Sequence, residues 1–568
     1  MSITDVPLSI GIDYGTLSGR VLILDLVTGA ELAGVDVPYN HGAIEDRLPG
    51  SGEQLAPDWS LQHPLDYVDV VERGIPQALS QAGVDPARVL GIGVDFTSCT
   101  VMPTAVDGTP LCVTDEWRAH PHAWPKLWKH HAAQSHADRL TELAQARGES
   151  FLARYGGRIS SEWYFPKLLQ VYEEDREVYD AAATFIEATD WIVWQLTGSE
   201  RRCSCAVGYK AFWSPDHGLP PAAYFDAVSP GFSHSIEKLG GDFAPLGTCA
   251  GTLRADLAER LGLRSDVAVA VGNVDSFVSV PGAGVERQGT LVTVVGTSIC
   301  DMVVHEDEIL LPGITGVQRD GILPGLYGYE AGQPAVGDML AWYVGNLLGA
   351  VPGDRAGRHD ALESAAAELA PGSTGLVALN WFNGNRSILA DADLSGVIAG
   401  LTLSTTPAEI YRALLESIAF AARRIVENFT EHGLTIERLV ACGGIAEKSP
   451  VLMQMFADIT GRPVHVPASS QIPARGAAMF GAVAAGTSGL HPGGFQDIAH
   501  AVERLRPEIA HSYTPDAAAT EIYDRVYAAY RGLHDALGRE HVDWLHSLKQ
   551  LRRDSRELNM ETAGEPIA

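Results

Sequence analysis

The chain has 568 residues, 46% of them hydrophobic and 20% charged, the balance of an ordinary globular protein with ample core. Its 71 acidic residues against 41 basic ones leave a net charge of −30, which argues against nucleic acid or an anionic membrane as a partner. At about 150 residues per domain this length suggests three or four units, and two large lobes fit equally well.

Leu8–Leu26, LSIGIDYGTLSGRVLILDL, opens the fold. Leu8, Ile10 and Ile12 alternate with small residues as in a strand; Asp13 ends it, Gly15-Thr16-Leu17-Ser18-Gly19 turns the chain, and Val21–Leu26 returns as a buried strand. The hydroxyls of Thr16 and Ser18 and the Arg20 guanidinium face one opening. That set suits phosphate oxygens, and Asp13 can hold Mg²⁺ directly or through water. The plain alternative is a tight hairpin with a surface Asp and Arg.

Glu31–Tyr39 is expected to be a third strand and 40–63 a loop. Leu65–Ala82 has apolar residues at helical spacing and Gly83 as a stop signal. Val89–Phe96 reads as a buried strand ending in Asp95-Phe96-Thr97-Ser98-Cys99-Thr100. The order β-β-β-α-β is that of a ribonuclease-H-like α/β domain. Residues 117–195 are expected to be mostly helical and are rich in aromatics. His120, His122, His130 and His131 lack a fixed facing geometry and read as packing or solvated side chains rather than metal ligands. Lys167, in an aromatic cluster, reads as structural, and Lys210 lies among small and aromatic residues. Val267–Phe277 gives a buried strand and then Gly272-Asn273-Val274-Asp275. Gly282-Ala283-Gly284 reads as a flexible break, so the division falls at 1–283 and 284–568.

The second part restarts the pattern. Gly289–Val304 is again strand, Gly296-Thr297-Ser298 turn, strand. A helix follows at Pro407–Phe429, capped by Thr406 and Glu409. Next come a strand at Arg438–Cys442, the Gly443-Gly444 turn, a helix at Val451–Thr460, a strand at Val464–Val466 and a helix at Gly476–Ala485. Pro515–Arg552 reads as a helical tail, and about the last 12 residues as disordered. Two duplicated lobes would face each other across a cleft, the architecture of actin-like ATPases. Paired Gly-Thr/Ser turns could then grip a polyphosphate from both sides. Gly443 and Gly444 could let backbone approach a flat ring, or simply supply a turn that needs positive φ. Asp275, at the floor of such a cleft, could take a proton from a hydroxyl attacking a phosphate, or could cap a helix. The seven cysteines are scattered, Cys203-x-Cys205 lacks metal-site spacing, and MSITDVPLS has no apolar signal region; a reduced, cytoplasmic protein is expected.

These residues resemble the FGGY family of carbohydrate kinases over most of the chain. The matching pieces are GIDYGTLSGR (Gly11–Arg20), Phe165-Pro166-Lys167-Leu168, GNVDSF (Gly272–Phe277), VVGTS (Val294–Ser298) and CGGIAEKSP (Cys442–Pro450). DFTSCT (Asp95–Thr100), AVGYKAFW (Ala206–Trp213) and GYEAGQ (Gly328–Gln333) resemble the branch that phosphorylates L-ribulose in arabinose breakdown. The resemblance implies ATP as co-substrate, Mg²⁺ placed by Asp13, and phosphates held by Thr16, Arg20, Gly296 and Thr297. It puts Gly443 and Gly444 beside the adenosine and makes Asp275 the base. Ser98, Lys210, Asp275 and Glu330 would hold the sugar. It implies a homo-oligomer (dimer), though no interface is visible in the residues. Glycerol-type members carry an Arg-Glu pair where this chain has Thr97-Ser98, which argues against glycerol. The alternatives are a kinase for D-ribulose, xylulose or a pentitol such as ribitol, an actin-like ATPase that ignores sugar, and a nucleotide-binding regulator without catalysis. A regulator would have no use for Asp275.

Overall fold

A computed structural model describes residues 6–348 and 355–563. Two seven-stranded mixed sheets form the frame. In the first, β1 (Leu8–Tyr14) and β2 (Ser18–Asp25) make an antiparallel hairpin and β3 (Glu31–Pro38) adds to β2. After helix α1 (64–82), β4 (Val89–Phe96) returns parallel to β1. Helix α1 passes through a π-helical turn at Val70–Gly74 just ahead of Pro76, whose missing N–H the wider turn accommodates, and it stops at Gly83 with φ 61°. β5 (Cys249–Thr252), β6 (Ala268–Ala270) and β7 (Asn273–Val274) complete the order β3-β2-β1-β4-β6-β5, with β7 on β4.

The second sheet contains β8 (Gly289–Val295), β9 (Ile299–His305), β10 (Gly316–Arg319), β11 (Tyr327–Gln333), β12 (Ile436–Cys442), β13 (Val464–Pro467) and β14 (Ile509–Tyr513). Its order is β10-β11-β9-β8-β12-β13-β14. In each sheet an antiparallel trio, β3-β2-β1 or β11-β9-β8, is followed by two parallel strands, β4 and β6 or β12 and β13. The duplication expected from the sequence is therefore real at the level of strand order. The strands at 316–333 and at the 509–513 edge were not anticipated.

Between β4 and β5 lies the aromatic insertion. It carries helices Gln134–Arg147, α2 (Tyr164–Glu174), Ala188–Thr197 and α3 (Ser204–Lys210). Residues 117–133, expected to be largely helical, are instead turns with a single short 3₁₀ turn at Pro121–Ala123. Prolines 121 and 125 explain this, since neither supplies the N–H a continuing helix needs.

Three further helices join the sheets: α4 (Asp275–Gly282), α5 (Pro407–Glu431) and α6 (Ile472–Thr487). α5 starts with the expected capping box between Thr406 and Glu409. α6 follows the second sheet in sequence yet packs on the first, across β1, β4 and β6. It can do so because Gly11, Gly91 and Gly93 carry no side chain. A Cβ there would lie 1.7, 2.0 and 1.8 Å from the main-chain oxygens of Ala474, Gly481 and Ala477. Ser9 Oγ adds hydrogen bonds to Ala478 O at 2.7 Å and Gly91 O at 3.1 Å. α4 crosses α6 equally closely: a Cβ on Gly282 would meet Ile472 O at 2.2 Å. The expected looseness at Gly282-Ala283-Gly284 is thus absent at Gly282, which is a packing glycine. A shared core of Val278, Val292, Met302, Ala477 and Phe480 fills the layer between the sheets.

The tail is helical as expected, but helix Val542–Ala563 continues through 557–563, and 564–568 lie outside the described residues. All seven cysteines are unpaired. Among the described residues no helix is long and apolar enough to cross a membrane.

Two predictions follow from this packing. Gly93→Ala should cost about 3 kcal/mol or more of stability, because α6 backbone cannot yield as a side chain would, whereas Gly241→Ala, with nothing near its Cβ, should stay within about 0.5 kcal/mol. Chemical denaturation checks this, and equal effects would refute the close seating. The second concerns Asp301 on β9, which is fully buried opposite Thr293 with neither carboxylate oxygen hydrogen-bonded. Burial raises its pKa to about 7, above the unfolded value. A raised acid contributes stability below the unfolded pKa, and that contribution is lost as pH climbs towards 7. Between pH 4 and 8 the wild type should therefore lose on the order of a few kcal/mol relative to Asp301→Asn. Melting curves that run parallel over that range would contradict it.

Candidate active site

β1, β4 and β7 run parallel with their C-terminal ends level: Asp13 pairs with Asp95 and Asp95 with Asn273, then Tyr14 with Phe96 and Phe96 with Val274. This register sets Asp13 and Asp95 side by side. It also places Asp275 one residue beyond, as the first residue of α4. Three carboxylates at strand ends repel one another. Asp95 is fully buried, neither oxygen has a hydrogen-bond partner, and burial, then Asp13 and Asp275, push its pKa well up. Asp275 remains partly open to solvent, yet the protein around it strips enough water to raise it to about 7, with Asp13 adding to the effect and the Ser276 N–H opposing it. Across the hairpin from Asp13 stands Arg20. Its Nη1 donates to Asp13 Oδ2 at 2.8 Å and its Nε to Asp36 Oδ1 at 3.1 Å. Among the sequence-predicted phosphate ligands, Arg20 is therefore already tied to the carboxylate beside it.

Each of the two expected turns is closed by the N–H of its first glycine, across three residues in the first turn and two in the second. Gly15 N donates to Ser18 O and Gly296 N to Ser298 O, each at 2.9 Å. The first turn is held from behind: Tyr39 Oη donates to Gly15 O (2.9 Å), Gln62 Nε2 to Thr16 O (2.8 Å) and Trp128 Nε1 to Thr16 Oγ1 (3.1 Å). The second turn receives Val336 N on Thr297 O (2.9 Å) and Gly337 N on Gly296 O (3.2 Å), and Thr297 is exposed. Gly443 abuts this turn. Its φ is 94°, and a Cβ would sit 2.7 Å from Val295 O, so conformation and space both demand glycine. Gly444 is exposed, with open space where a side chain would be.

Lys210 ends α3 and Glu330 lies in β11; Nζ and Oε2 are 2.6 Å apart, both side chains nearly buried. Burial works against the Lys210 charge, but Glu330 outweighs it and holds the ammonium above its usual range. The rings of Phe277, Tyr209 and Trp163 stand around the ammonium at 5.7 to 6.0 Å. Asp275 lies in the electrostatic reach of both Lys210 and Glu330, so the residues expected on the sugar side and the expected base converge. Ser98 sits in a half-buried turn strained at Cys99, whose φ is 62°. Lys167 ties that turn to the neighbouring segment 126–127. Its Nζ donates to Cys99 O at 2.5 Å, Leu127 O at 2.8 Å and Lys126 O at 3.3 Å, which is the structural role read from the sequence. The four histidines pack as expected: His120 on Asp175, His122 on Glu174, His130 on Gln170 and His131 on Ser161.

Three features escaped sequence reasoning. Asp95 carried a signal, an acid at the same strand end as Asp13. Trp128 and the pair Glu162–Arg386, 3.2 Å apart, carried none, because their partners lie 112 and 224 residues away.

Residues 291–485 match the FGGY family of carbohydrate kinases, C-terminal domain. The chain is 48% identical to a ribulokinase of Anoxybacillus flavithermus, over 97% of this chain and 98% of the relative. It is 45% identical to a ribulokinase of Mycolicibacterium smegmatis, over 93% and 94%. Among solved structures it resembles a xylulose kinase from Rhodospirillum rubrum, with TM-score 0.76, 25% identity, and coverage of 95% of this chain and 100% of that one.

Proposed function

The chain belongs to the FGGY family of carbohydrate kinases, and from that premise we propose that it transfers the γ-phosphoryl group of ATP to the C5 hydroxyl of L-ribulose, giving L-ribulose 5-phosphate and ADP. The sugar follows the name shared by the full-length relatives, ribulokinase. The observation that carries the chemistry is the shared strand-end register. It sets Asp13 and Asp275 together, within reach of Lys210 and Glu330.

In this reading Asp275 accepts the C5 hydroxyl proton as that oxygen attacks the γ-phosphorus in line. A base matched to neutral pH suits the task, and phosphoryl transfer otherwise needs mainly positioning and charge neutralisation. Thr16 Oγ1 already accepts from Trp128, so its own hydrogen is turned to a phosphate oxygen. Arg20 uses Nε and Nη1 on the two aspartates and offers Nη2 to phosphate. Gly296 and Thr297 close on the phosphates from the other side, and Gly443 and Gly444 border the adenosine. Lys210 donates to ketose oxygens, Glu330 accepts from hydroxyls, and Ser98 does either. A short hydroxyl there leaves room for a five-carbon chain.

Asp13, with Asp275 beside it, would hold Mg²⁺. The donors are hard carboxylate oxygens, and magnesium takes one or two of these plus phosphate and water, so the residues fit. Bound there, it would supply positive charge to the phosphate oxygens. Burying the reacting centre between the sheets keeps water from competing for the phosphoryl group.

ADP release with MgATP should be strong with L-ribulose and near zero without sugar; sugar-independent release would sink the reading. Equal kcat/KM on D-ribulose, xylulose or ribitol would move it to the broader pentulose alternative. Asp275→Asn should cut kcat at least about 10²-fold with both substrates still bound, and near-normal turnover would remove Asp275 from the mechanism. Lys210→Ala should raise the ketose KM about 10-fold or more and the ATP KM little; the reverse would place Lys210 on the nucleotide side.

A further inference from the structure

Beside the Lys210–Glu330 pair lies a second ion pair, Glu162–Arg386. Lys210 and Glu162 come from the first half of the chain, Glu330 and Arg386 from the second. Each half thus brings one cation and one anion, and both salt bridges cross between halves: Lys210–Glu330 at 2.6 Å and Glu162–Arg386 at 3.2 Å. Three other pairs join the halves: Arg154–Glu308 and Arg475–Glu31, each at 2.9 Å, and Arg319–Asp216 at 3.4 Å. The Arg319–Asp216 side chains are almost half exposed, and such rim pairs contribute little. Glu162 and Arg386 are only 17% and 19% exposed.

Both members of that inner pair are anchored to the sugar ligands. Ser387 Oγ accepts from Gly332 N at 3.1 Å, which pins the Arg386 segment beside β11 two residues past Glu330. Ser160 Oγ accepts from Glu162 N at 3.2 Å just ahead of α2, the helix whose Lys167 clamps the Ser98 turn. The electrostatics agree. Burial lowers the Arg386 pKa, but Glu162 outweighs it and Cys300 and Glu330 add to the rise. For Glu162, Arg386, His131 and Lys210 outweigh burial in the opposite sense.

We propose that Glu162 and Arg386 are positioning residues for the sugar step: by pairing with each other across the cleft they keep Glu330 opposite Lys210, the arrangement that receives the ketose. The physical point is competition. Arg386 is a second cation that feels Glu330, and Glu162 a further anion that feels Lys210. If either outer partner is lost, the survivor turns inward, Arg386 onto Glu330 or Glu162 onto Lys210, and takes hydrogen-bonding capacity that the sugar requires. When the halves separate, each can neutralise its own charges by the same exchange, so opening strands no buried ion. The inference rests on the pentulose-kinase reading.

The test measures kcat and both KM values for the wild type and for E162Q, R386Q, R386K, E162R, R386E and the charge-exchanged E162R/R386E, with L-ribulose affinity by calorimetry in the absence of nucleotide. E162Q and R386Q should each raise the L-ribulose KM about 10-fold and weaken calorimetric binding in step, with the ATP KM changed less than about 2-fold. R386K should retain most of the affinity. E162R/R386E should bind L-ribulose at least about 3-fold better than E162R or R386E alone, because only the double variant restores opposite charges. An unchanged ketose KM in E162Q and R386Q overturns the proposal. So does a parallel rise of both KM values with lower melting temperature, or a double variant no better than its singles. A wild type inert towards every pentulose overturns the function reading and this inference together; an active wild type whose variants show no such split overturns this inference alone.

Discussion

The structure depends on a backbone contact that no side chain makes. Helix α6 lies directly on β1 and β4, and three glycines, Gly11, Gly91 and Gly93, are what let it lie there. That contact ties the end of the second half to the centre of the first sheet. With α4 crossing it at Gly282, the two helices form one layer between the sheets. The seating of α6 on the first sheet is set by main chain against main chain, while side chains such as Val278, Val292, Met302 and Phe480 join that layer to the second sheet. Such a seating has few rotamers with which to absorb error, and a methyl group in the wrong place is felt in both halves.

The same strands that accept α6 along their length deliver the chemistry at their ends. A parallel register forces Asp13, Asp95 and Asn273 level, and Asp275 follows at once. Their mutual repulsion is offset locally. Arg20 answers Asp13, and Asp275 and Asp95 hold protons more tightly than free carboxylates do. In a chain with net charge −30, each cation near the cleft is individually placed. Arg20 is braced by two aspartates, Lys167 by three carbonyls, and Lys210 and Arg386 by carboxylates from the opposite half. The duplication shows best in strand order; the paired turns are related but not identical, since the Gly15 N–H closes its turn on Ser18, three residues on, and the Gly296 N–H on Ser298, two residues on.

Whatever is local in this fold could be read before the structure. Alternating apolar residues marked β1, β2, β4 and β8, glycines marked the turns, and a capping box marked α5. Asp275 was legible because it ends a buried strand before a helix. The placement of α6 was not legible: its apolar surface fits either sheet, and the decisive feature, three missing side chains on strands more than 370 residues earlier, has no local signature. Trp128, Glu162 and Arg386 escaped for the same reason. Residues 117–133 misled because their aromatic and histidine content resembles the helices that follow, while Pro121 and Pro125 keep the segment irregular.

The most direct test of the account is the identity of the phosphorylated product. Phosphorus NMR of a reaction containing MgATP and L-ribulose should show ADP and one sugar phosphomonoester whose phosphorus couples to the two C5 protons. Inorganic phosphate as the only new species, or an ester at another carbon, would contradict a cleft in which Asp275 faces the terminal hydroxyl of an open-chain ketose.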